Sequence, residues 1–123
     1  MTIKNKSFGE KMKLRIYNLI LKIIKFTESL PKNDEVCKVA NNQLIRSATS
    51  VCANYVEATA GTTKKDFSNF LSYSLKSANE SKFWLALLKD TKKGNKNTID
   101  GLLKELIEIS NILGTSISTM KKK

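Results

Sequence analysis

Apolar residues recur every three or four positions through four long segments of this chain, and three breaks separate the segments. The breaks contain the single proline, Pro31, and two of the five glycines, Gly61 and Gly94. This spacing places apolar side chains on one face of an α-helix, whereas a half-buried strand would alternate. The sequence therefore predicts an all-α fold with helices at about 7–29, 33–60, 63–92 and 97–120.

The connections between these segments are short, which favours antiparallel neighbours in one compact unit. We therefore expect a single domain over 1–123, an antiparallel up-down-up-down four-helix bundle. Ser7 and Thr63 are each followed by a carboxylate three residues later, the pattern of a capping box. Asn33 and Asn97 are the predicted caps of the other two helices.

The core-facing positions follow from the same spacing. Small residues among them, such as Ala48, Ser74 and Ala78, should let the second and third helices approach closely. The predicted core stripes, in chain order, are Met12, Ile16, Leu19, Ile23, Phe26, Leu30; Leu44, Ala48, Val51, Tyr55, Ala58; Phe67, Leu71, Ser74, Ala78, Ser81, Leu85, Leu88; and Ile99, Leu103, Leu106, Ser110, Leu113, Ile117.

Two cysteines and the lack of export signals bear on the compartment. Cys37 and Cys52 lie fifteen residues apart in one predicted helix, a distance of about 22 Å that no disulfide spans. No stretch has the pattern of a secretory signal or the length of a membrane span. A cytoplasmic protein with two free thiols is expected.

The residues that usually carry catalysis are missing from the sequence. There is no histidine, no Cys-x-x-Cys pair and no glycine-rich phosphate loop. The hydroxyl-rich run from Ser47 to Ser50 has no base beside it in sequence. We therefore expect no enzyme activity, no metal site and no cofactor.

The charges are strongly unbalanced. Lysine and arginine total 22 against 11 acidic residues, giving a net charge of +11. In the predicted topology, the start of helix one, the turn after helix two and the end of helix four share one end of the bundle, which collects much of the surplus. A positive end of this kind favours a polyanion such as nucleic acid. The predicted nucleic-acid-binding residues are Lys4, Lys6, Lys11, Lys13, Arg15, Lys64, Lys65, Lys121, Lys122 and Lys123.

Lysine dominates this set and suits loose phosphate contact rather than reading of bases. Few exposed aromatic residues are expected among the lysines, so the sequence does not predict a stacking surface for single strands. An alternative interpretation of the same residues is a pair of solvated, frayed termini.

The second and third helices carry few charges on their outer faces. Arg46 is the only charged residue between Lys38 and Glu57. An uncharged second face predicts that another copy covers it, so we expect a homo-oligomer. A covered Arg46 would pair with Glu80, or with Glu57 of another copy. The predicted interface residues are Gln43, Arg46, Ser50, Asn54, Glu57 and Glu80.

Two stretches carry a family likeness: QLIRSA at 43–48 continuing to NYVEA at 54–58, and DFSNFL at 66–71 followed by SANE at 77–80. With Leu30-Pro31, they resemble the four-helix-bundle proteins encoded within intervening sequences of bacterial large-subunit ribosomal RNA genes. That family is similar in fold to the accessory protein of diversity-generating retroelements. The resemblance implies a homopentameric barrel and, for the retroelement relative, association with a reverse transcriptase and nucleic acid.

The chain departs from the family pattern after helix two, where Glu57-Ala58-Thr59-Ala60-Gly61 replaces the usual Glu-Gly. Two functions compete. The first is an oligomeric scaffold that associates with nucleic acid through its lysine-rich end. The alternative is an adaptor that docks a partner protein such as a reverse transcriptase, with incidental nucleic-acid affinity. A membrane-surface role is disfavoured, because the apolar stripes are needed for the core.

Overall fold

The structure is a computed structural model that describes residues 7–61 and 63–122, and those residues form four α-helices and no strand. The helices are α1 (Phe8–Glu28), α2 (Glu35–Ala60), α3 (Lys64–Asp90) and α4 (Lys96–Lys122). The predicted all-α, four-helix fold is confirmed. Lys4, Lys6 and Lys123, three of the predicted nucleic-acid contacts, lie outside the described residues.

The helix starts follow the capping chemistry of the sequence with two corrections. Ser7 and Thr63 cap α1 and α3, each accepting a backbone N–H three residues ahead at 3.1 and 3.0 Å. Asp34, rather than Asn33, caps α2 by accepting the Cys37 N–H at 3.0 Å. At the start of α4, the side chain of Asn95, not that of Asn97, accepts the Thr98 N–H at 3.0 Å.

The predicted stripes form the core. Of their members, all are buried except Phe67 and Leu103, which are half-buried. Leu102 and Ile109 are buried as well and widen the apolar face of α4. The periodicity therefore located the core, and at the level of Leu103 the preceding residue, Leu102, takes the buried position.

The helices do not pack equally closely. The α2–α3 contact is the most extensive in the molecule and the α1–α4 contact the least extensive of the neighbouring pairs. At the α2–α3 contact, the Ser74 hydroxyl donates to the Val51 carbonyl at 2.7 Å, and the Ser47 and Ser81 hydroxyls are 2.8 Å apart. Small side chains let these backbones approach closely enough for such bonds, as the sequence predicted for Ser74.

The loops after α1 and after α3 meet. Lys93 forms an ion pair with Asp34, the capping residue of α2. Gly94 has φ of +79°, and a Cβ there would lie 2.7 Å from Leu30 Cδ2. Only glycine fits this position, since the backbone is left-handed and Leu30 and Phe26 fill the space. Lys89 Nζ adds a 2.6 Å contact to Asp100 Oδ1 in α4.

Candidate nucleic-acid interface

Elements from all four helices meet at the end opposite these loops. A cavity of about 360 Å³ is lined there by the start of α1, the end of α2, the start of α3 and the end of α4. We call it the end cavity. Its lining residues are Phe8, Gly9, Tyr55, Thr59, Phe67, Leu71, Thr115, Ser116, Thr119 and Met120.

Six of the predicted nucleic-acid contacts belong to the same segments, and we call this part of the molecule the basic end. All of them are exposed except Lys13, which is half-buried. The same segments carry only three carboxylates, Glu10, Glu57 and Asp66, all of them exposed. Because the lysines outnumber these carboxylates, the basic end has a positive net charge. The six are Lys11, Lys13, Lys64, Lys65, Lys121 and Lys122.

Arg15 differs from the lysines because α4 already holds its guanidinium. Its Nε and Nη2 donate to the two carboxylate oxygens of Glu105 at 2.7 and 2.6 Å, and Glu108 lies 3.5 Å from Nη2. The hydrogen bond to Glu105 raises the pKa of Arg15, and its counterpart lowers the pKa of Glu105. Arg15 therefore ties α1 to α4, a role that the sequence prediction as a phosphate contact missed.

Tyr55 brings a polar group into the end cavity. Its side chain is only 5% exposed, and its hydroxyl would lie 3.9 Å from a Cβ built at Gly9. Among the described residues, the hydroxyl has no hydrogen-bond partner, although it is the polar end of a buried aromatic ring. Burial raises the pKa of Tyr55, so the phenol stays protonated and able to donate.

Two aromatic rings line the same cavity, one of them exposed and the other half-buried. Phe8 is 64% exposed at the first position of α1, and Phe67 is half-buried in the first turn of α3. Each stands three residues from a lysine of the basic end, Lys11 and Lys64 respectively. The sequence contained both rings, but only the packing of α1 and α3 around the end of α2 brings them to one cavity.

Most of the predicted interface residues lie along a polar groove on the outer face of the α2–α3 hairpin. The groove, of about 350 Å³, is lined by Gln43, Arg46, Ser50 and Glu80 together with Ser47 and Ser77, which the sequence prediction missed. Asn54 lies next to it and donates to the Ser50 hydroxyl at 3.0 Å. Glu57 is exposed one turn further on and does not line the groove.

Arg46 and Glu80 line the same groove, which agrees with their expected positions opposite each other in the hairpin. Within the described residues they form no ion pair. Arg46 is exposed in the single chain. Glu80 instead accepts the indole N–H of Trp84 at 3.3 Å. A buried Arg46–Glu80 pair is therefore not a feature of the isolated protomer.

Apolar side chains flank the groove. Val39, Tyr73 and Phe83 are 51%, 53% and 56% exposed. Tyr73 stands edge-to-face against Phe70 with ring centres 5.9 Å apart, and Phe83 does so against Trp84 at 4.8 Å. Exposed aromatic pairs with few charges are typical of a surface that another molecule covers.

A second opening, the α1–α4 groove, follows from the sparse contact between those helices. Its volume is about 470 Å³, and Leu19, Phe26 and Leu102 supply its apolar part. Lys22 and Lys25 of α1 stand on one rim, and Gly101 of α4 leaves space because a Cβ there would meet nothing within 4 Å. This groove lies away from the basic end, since its remaining lining residues come from the end of α1 and the start of α4.

The described part of the chain offers little for metal or redox chemistry. Its His, Cys, Asp and Glu residues form no group of three or more that could hold a metal ion. Cys37 is buried and Cys52 half-buried, both are free thiols, and burial raises the pKa of each. Within residues 7–61 and 63–122, no helix is both long and apolar enough to cross a membrane.

Comparison with known proteins identifies the family. Residues 11–115 match the family described as 23S rRNA-intervening sequence protein. The chain belongs to this family. The match spans the polar groove of the α2–α3 hairpin and most of the basic end. It leaves outside its range five of the ten residues that line the end cavity, namely Phe8, Gly9, Ser116, Thr119 and Met120.

A solved structure supports the same assignment. The chain is similar to a crystal structure of a protein with unknown function from the S23 ribosomal protein family of Bacteroides thetaiotaomicron. The two are 28% identical, the alignment covers 89% of this chain and 97% of that one, and the TM-score is 0.81. No curated protein gives a significant match to the chain.

The resemblance found in the sequence is thus confirmed. Neither the description of the intervening-sequence family nor that of the solved relative names an enzymatic activity. For this family member, the case for a function rests on the surfaces described above.

Proposed function

We propose that this protein is a non-enzymatic, oligomeric scaffold of the cytoplasm that holds nucleic-acid backbones at its basic end, with little sequence preference. The observation that carries the proposal is the meeting of four helix ends around one cavity. Six lysines stand on those segments, five of them exposed. The two free thiols suit a reducing compartment.

Lysine side chains are flexible point charges, so they contact phosphates without fixing the orientation of the bases. The proposal also includes Lys4, Lys6 and Lys123 as contacts. It leaves out Arg15, because Glu105 and Glu108 engage the guanidinium. Binding of this kind weakens steeply with salt, since each phosphate contact releases counterions.

The oligomer in the proposal is a barrel of antiparallel, up-down-up-down protomers, five in number as the family resemblance implies. Its protomers meet through the outer face of the α2–α3 hairpin. The exposed aromatic rings and the sparse charge of that face support this arrangement. In the assembly, Arg46 would lose water and pair with Glu80 or with Glu57 of another copy.

Light scattering coupled to size exclusion tests the oligomer, and fluorescence anisotropy with short duplex RNA and DNA tests the binding. We expect a discrete oligomer, and duplex affinity that falls steeply as salt rises. Replacing Lys64, Lys65, Lys121 and Lys122 by Gln should lower the salt slope by about 0.9 for each lysine that contacts a duplex DNA phosphate.

A variant with four exposed lysines changed elsewhere, Lys25, Lys32, Lys96 and Lys104 to Gln, has the same net charge and serves as the matched control. If both variants lose the same affinity, net charge alone explains the binding and the basic end has no special part. A monomer in light scattering would remove the oligomeric half of the proposal.

The α1–α4 groove favours a second function, that of an adaptor docking a partner protein such as a reverse transcriptase. The groove has a volume of about 470 Å³, and its apolar floor is formed by Leu19, Phe26 and Leu102, which are 4%, 4% and 5% exposed. Replacing Gly101 by Phe would place a ring in open space, because a Cβ there meets no atom within 4 Å.

Binding of the Gly101→Phe variant to a purified retroelement reverse transcriptase tests this alternative. If the groove docks the partner, the variant loses the protein complex and retains its affinity for duplex nucleic acid. Glu57→Gln and Arg46→Gln, which change the hairpin face instead, should leave the protein complex intact. Unchanged binding by Gly101→Phe would exclude the groove as the docking surface.

A further inference from the structure

We propose that the end cavity receives one unpaired nucleobase, so that the protein prefers nucleic-acid ends or bulges to a continuous duplex. The inference rests on the proposed function, because the lysines of the basic end bring the nucleic acid to the cavity. It adds a feature that phosphate contacts alone do not supply, which is discrimination between paired and unpaired nucleotides.

The aromatic lining suits a flat, apolar ligand. Phe8 and Phe67 come from two different helices and line one cavity of about 360 Å³. Phe8 is 64% exposed, so most of its surface is free to contact a ligand. Every nucleobase can stack on an aromatic ring, and such stacking depends little on sequence. A pocket of this composition therefore selects unpaired bases as a class.

The polar lining suits the edge of a base. The Tyr55 hydroxyl reaches the cavity from a side chain that is 95% buried, and it has no partner among the described residues. Within the described residues, the fully buried polar atoms without a partner are Asn41 Oδ1 and Ser110 Oγ, so the Tyr55 hydroxyl is open to solvent and free to donate to a ligand. Thr59 and Thr119 add further hydroxyls to the lining. An extruded base is recognised in this way, by hydrogen bonds to its edge and stacking on its face.

Gly9 keeps the space next to Tyr55 open. A Cβ at Gly9 would lie 3.6 Å from Thr59 Cγ2 and 3.9 Å from the Tyr55 hydroxyl oxygen, both ordinary contacts. Alanine therefore fits without strain and would occupy part of the volume beside the hydroxyl. Since glycine inside a helix is less favourable than alanine, Gly9→Ala should strengthen α1 while narrowing the cavity.

The charges around the cavity suit the phosphates that flank a base. Lys11 lies one turn after Phe8, Lys64 lies one turn before Phe67, and Lys121 follows Met120 directly. A nucleotide with its base in the cavity would thus have lysines on three helices near its backbone. An uncharged apolar ligand would gain nothing from these lysines, which is why we commit to a nucleic-acid end.

The test compares three short duplexes of the same sequence in fluorescence anisotropy at low salt. One is blunt, one carries a single unpaired 3′ adenine, and one carries an abasic nucleotide in that place. The abasic duplex has the same number of phosphates as the adenine duplex, so any difference between them reports the base. We expect the adenine overhang to bind about tenfold more tightly than the abasic one.

Single substitutions test which residues of the end cavity produce the preference for the unpaired adenine. Phe8→Ala should abolish the preference for adenine over the abasic nucleotide, and Tyr55→Phe and Gly9→Ala should reduce it several-fold. Tyr17→Ala, which removes a ring that is 52% exposed on α1, is the matched control and should retain the preference. Thermal melting checks the fold of each variant, and Gly9→Ala is informative because we expect its melting temperature to rise.

Three results would contradict the inference in separable ways. Equal affinity for all three duplexes would overturn the base pocket and leave the phosphate scaffold standing. A preference that Phe8→Ala retains would place the base elsewhere. Failure of all three duplexes to bind would overturn the proposed function. In that case, adenosine titrated into ¹⁵N-labelled protein tests the cavity by itself, since it carries no phosphate. Unchanged amide signals of Gly9 and Thr119 would then exclude it.

Discussion

The α2–α3 contact is formed largely by small side chains, whereas the α1–α4 contact is formed by larger ones. At the first, Ser47, Ser74 and Ser81 bring two backbones close and join them by hydrogen bonds. At the second, larger residues leave a groove, and the ion pair from Arg15 to Glu105 bridges the helices at their surface. Both contacts belong to one four-helix fold.

The difference shows how residue size decides where a small bundle keeps usable surface. Small residues close the α2–α3 contact, so the aromatic rings of α3 that do not fit inside it stand outside, as Tyr73 and Phe83 do. Along α1 and α4, Leu19 and Leu102 line an opening instead. The outer hairpin face and the α1–α4 groove are therefore two consequences of one uneven distribution of side-chain volume.

The largest change in the free energy of unfolding is expected when a leucine is placed in the α2–α3 contact, and a leucine in the α1–α4 contact serves as the comparison. Ser74 is fully buried and donates to Val51, so Ser74→Leu both overpacks the α2–α3 contact and removes a hydrogen bond. We expect it to lower the free energy of unfolding by about 3 kcal/mol. Urea denaturation followed by circular dichroism measures this value.

Gly101→Leu is the matched variant at the α1–α4 contact. Because no atom lies within 4 Å of its Cβ position, the leucine enters open space, and the gain in helix propensity is about 0.5–1 kcal/mol. The variant should be as stable as the wild type or slightly more so. Equal destabilisation by both leucines would mean that the two contacts are equally tight, contrary to the comparison.

The next effect concerns the hydroxyl pair of the α2–α3 contact. Ser47→Ala leaves Ser81 with its bond to the Ser77 carbonyl, so the loss should be about 1 kcal/mol. The double variant Ser47→Ala, Ser81→Ala should cost less than the sum of the two single changes, since no unmatched hydroxyl remains. A double-mutant cycle from urea denaturation tests this, and strict additivity would show that the two hydroxyls are not coupled.

The smallest effect is expected at the ion pair of the α1–α4 contact. Arg15 and Glu105 keep 33% and 29% of their side-chain surface exposed, so water screens the pair and Arg15→Gln should cost about 0.5 kcal/mol at neutral pH. The chain's other arginine provides the control, since Arg46→Gln removes no ion pair within the described residues and should cost less in a monomeric sample.

The same pair predicts a pH dependence. The hydrogen bond from Arg15 holds the pKa of Glu105 below its ordinary value of 4.5. A carboxyl whose pKa is lowered by folding stabilises the fold above its unfolded pKa, and that contribution is lost as pH falls through the lowered value. The stability difference between the wild type and Arg15→Gln should therefore be constant near neutral pH and vanish in acid. A difference that persists at pH 2 would assign the effect to packing.

Local patterns in the sequence were sufficient for the four helices. Stripes such as Met12, Ile16 and Leu19 are buried as predicted, because helical periodicity depends only on near neighbours in the chain. The caps of α2 and α4 were harder to place. Asn33 and Asp34 both can cap, and Asp34 does so in this structure, where its carboxylate also pairs with Lys93 from a distant loop.

The candidate sites depended more on distant partners. Arg15 was predicted as a nucleic-acid contact, and its ion pair with Glu105 was not predicted, because the two residues lie ninety positions apart and no local pattern indicates the pair. Tyr55 was correctly placed in the core, yet the opening of its hydroxyl into the end cavity depends on Gly9 and on three other helix ends. Arg46 and Glu80 lie beside each other across the hairpin, as predicted. The Glu80 carboxylate, however, accepts a hydrogen bond from the indole of Trp84, one turn further along α3.

The contact between the loop after α1 and the loop after α3 has a consequence for local unfolding of the molecule. Asp34 with Lys93, and Gly94 packed under Leu30 and Phe26, fasten one end of the bundle by contacts between two loops. Amide hydrogens near that end should exchange with solvent only when the whole fold opens, whereas amides near Phe8 and Thr119 should exchange through smaller, local openings. A nucleic acid held at the basic end would then be detected as slowed exchange at the end where the free protein opens most readily.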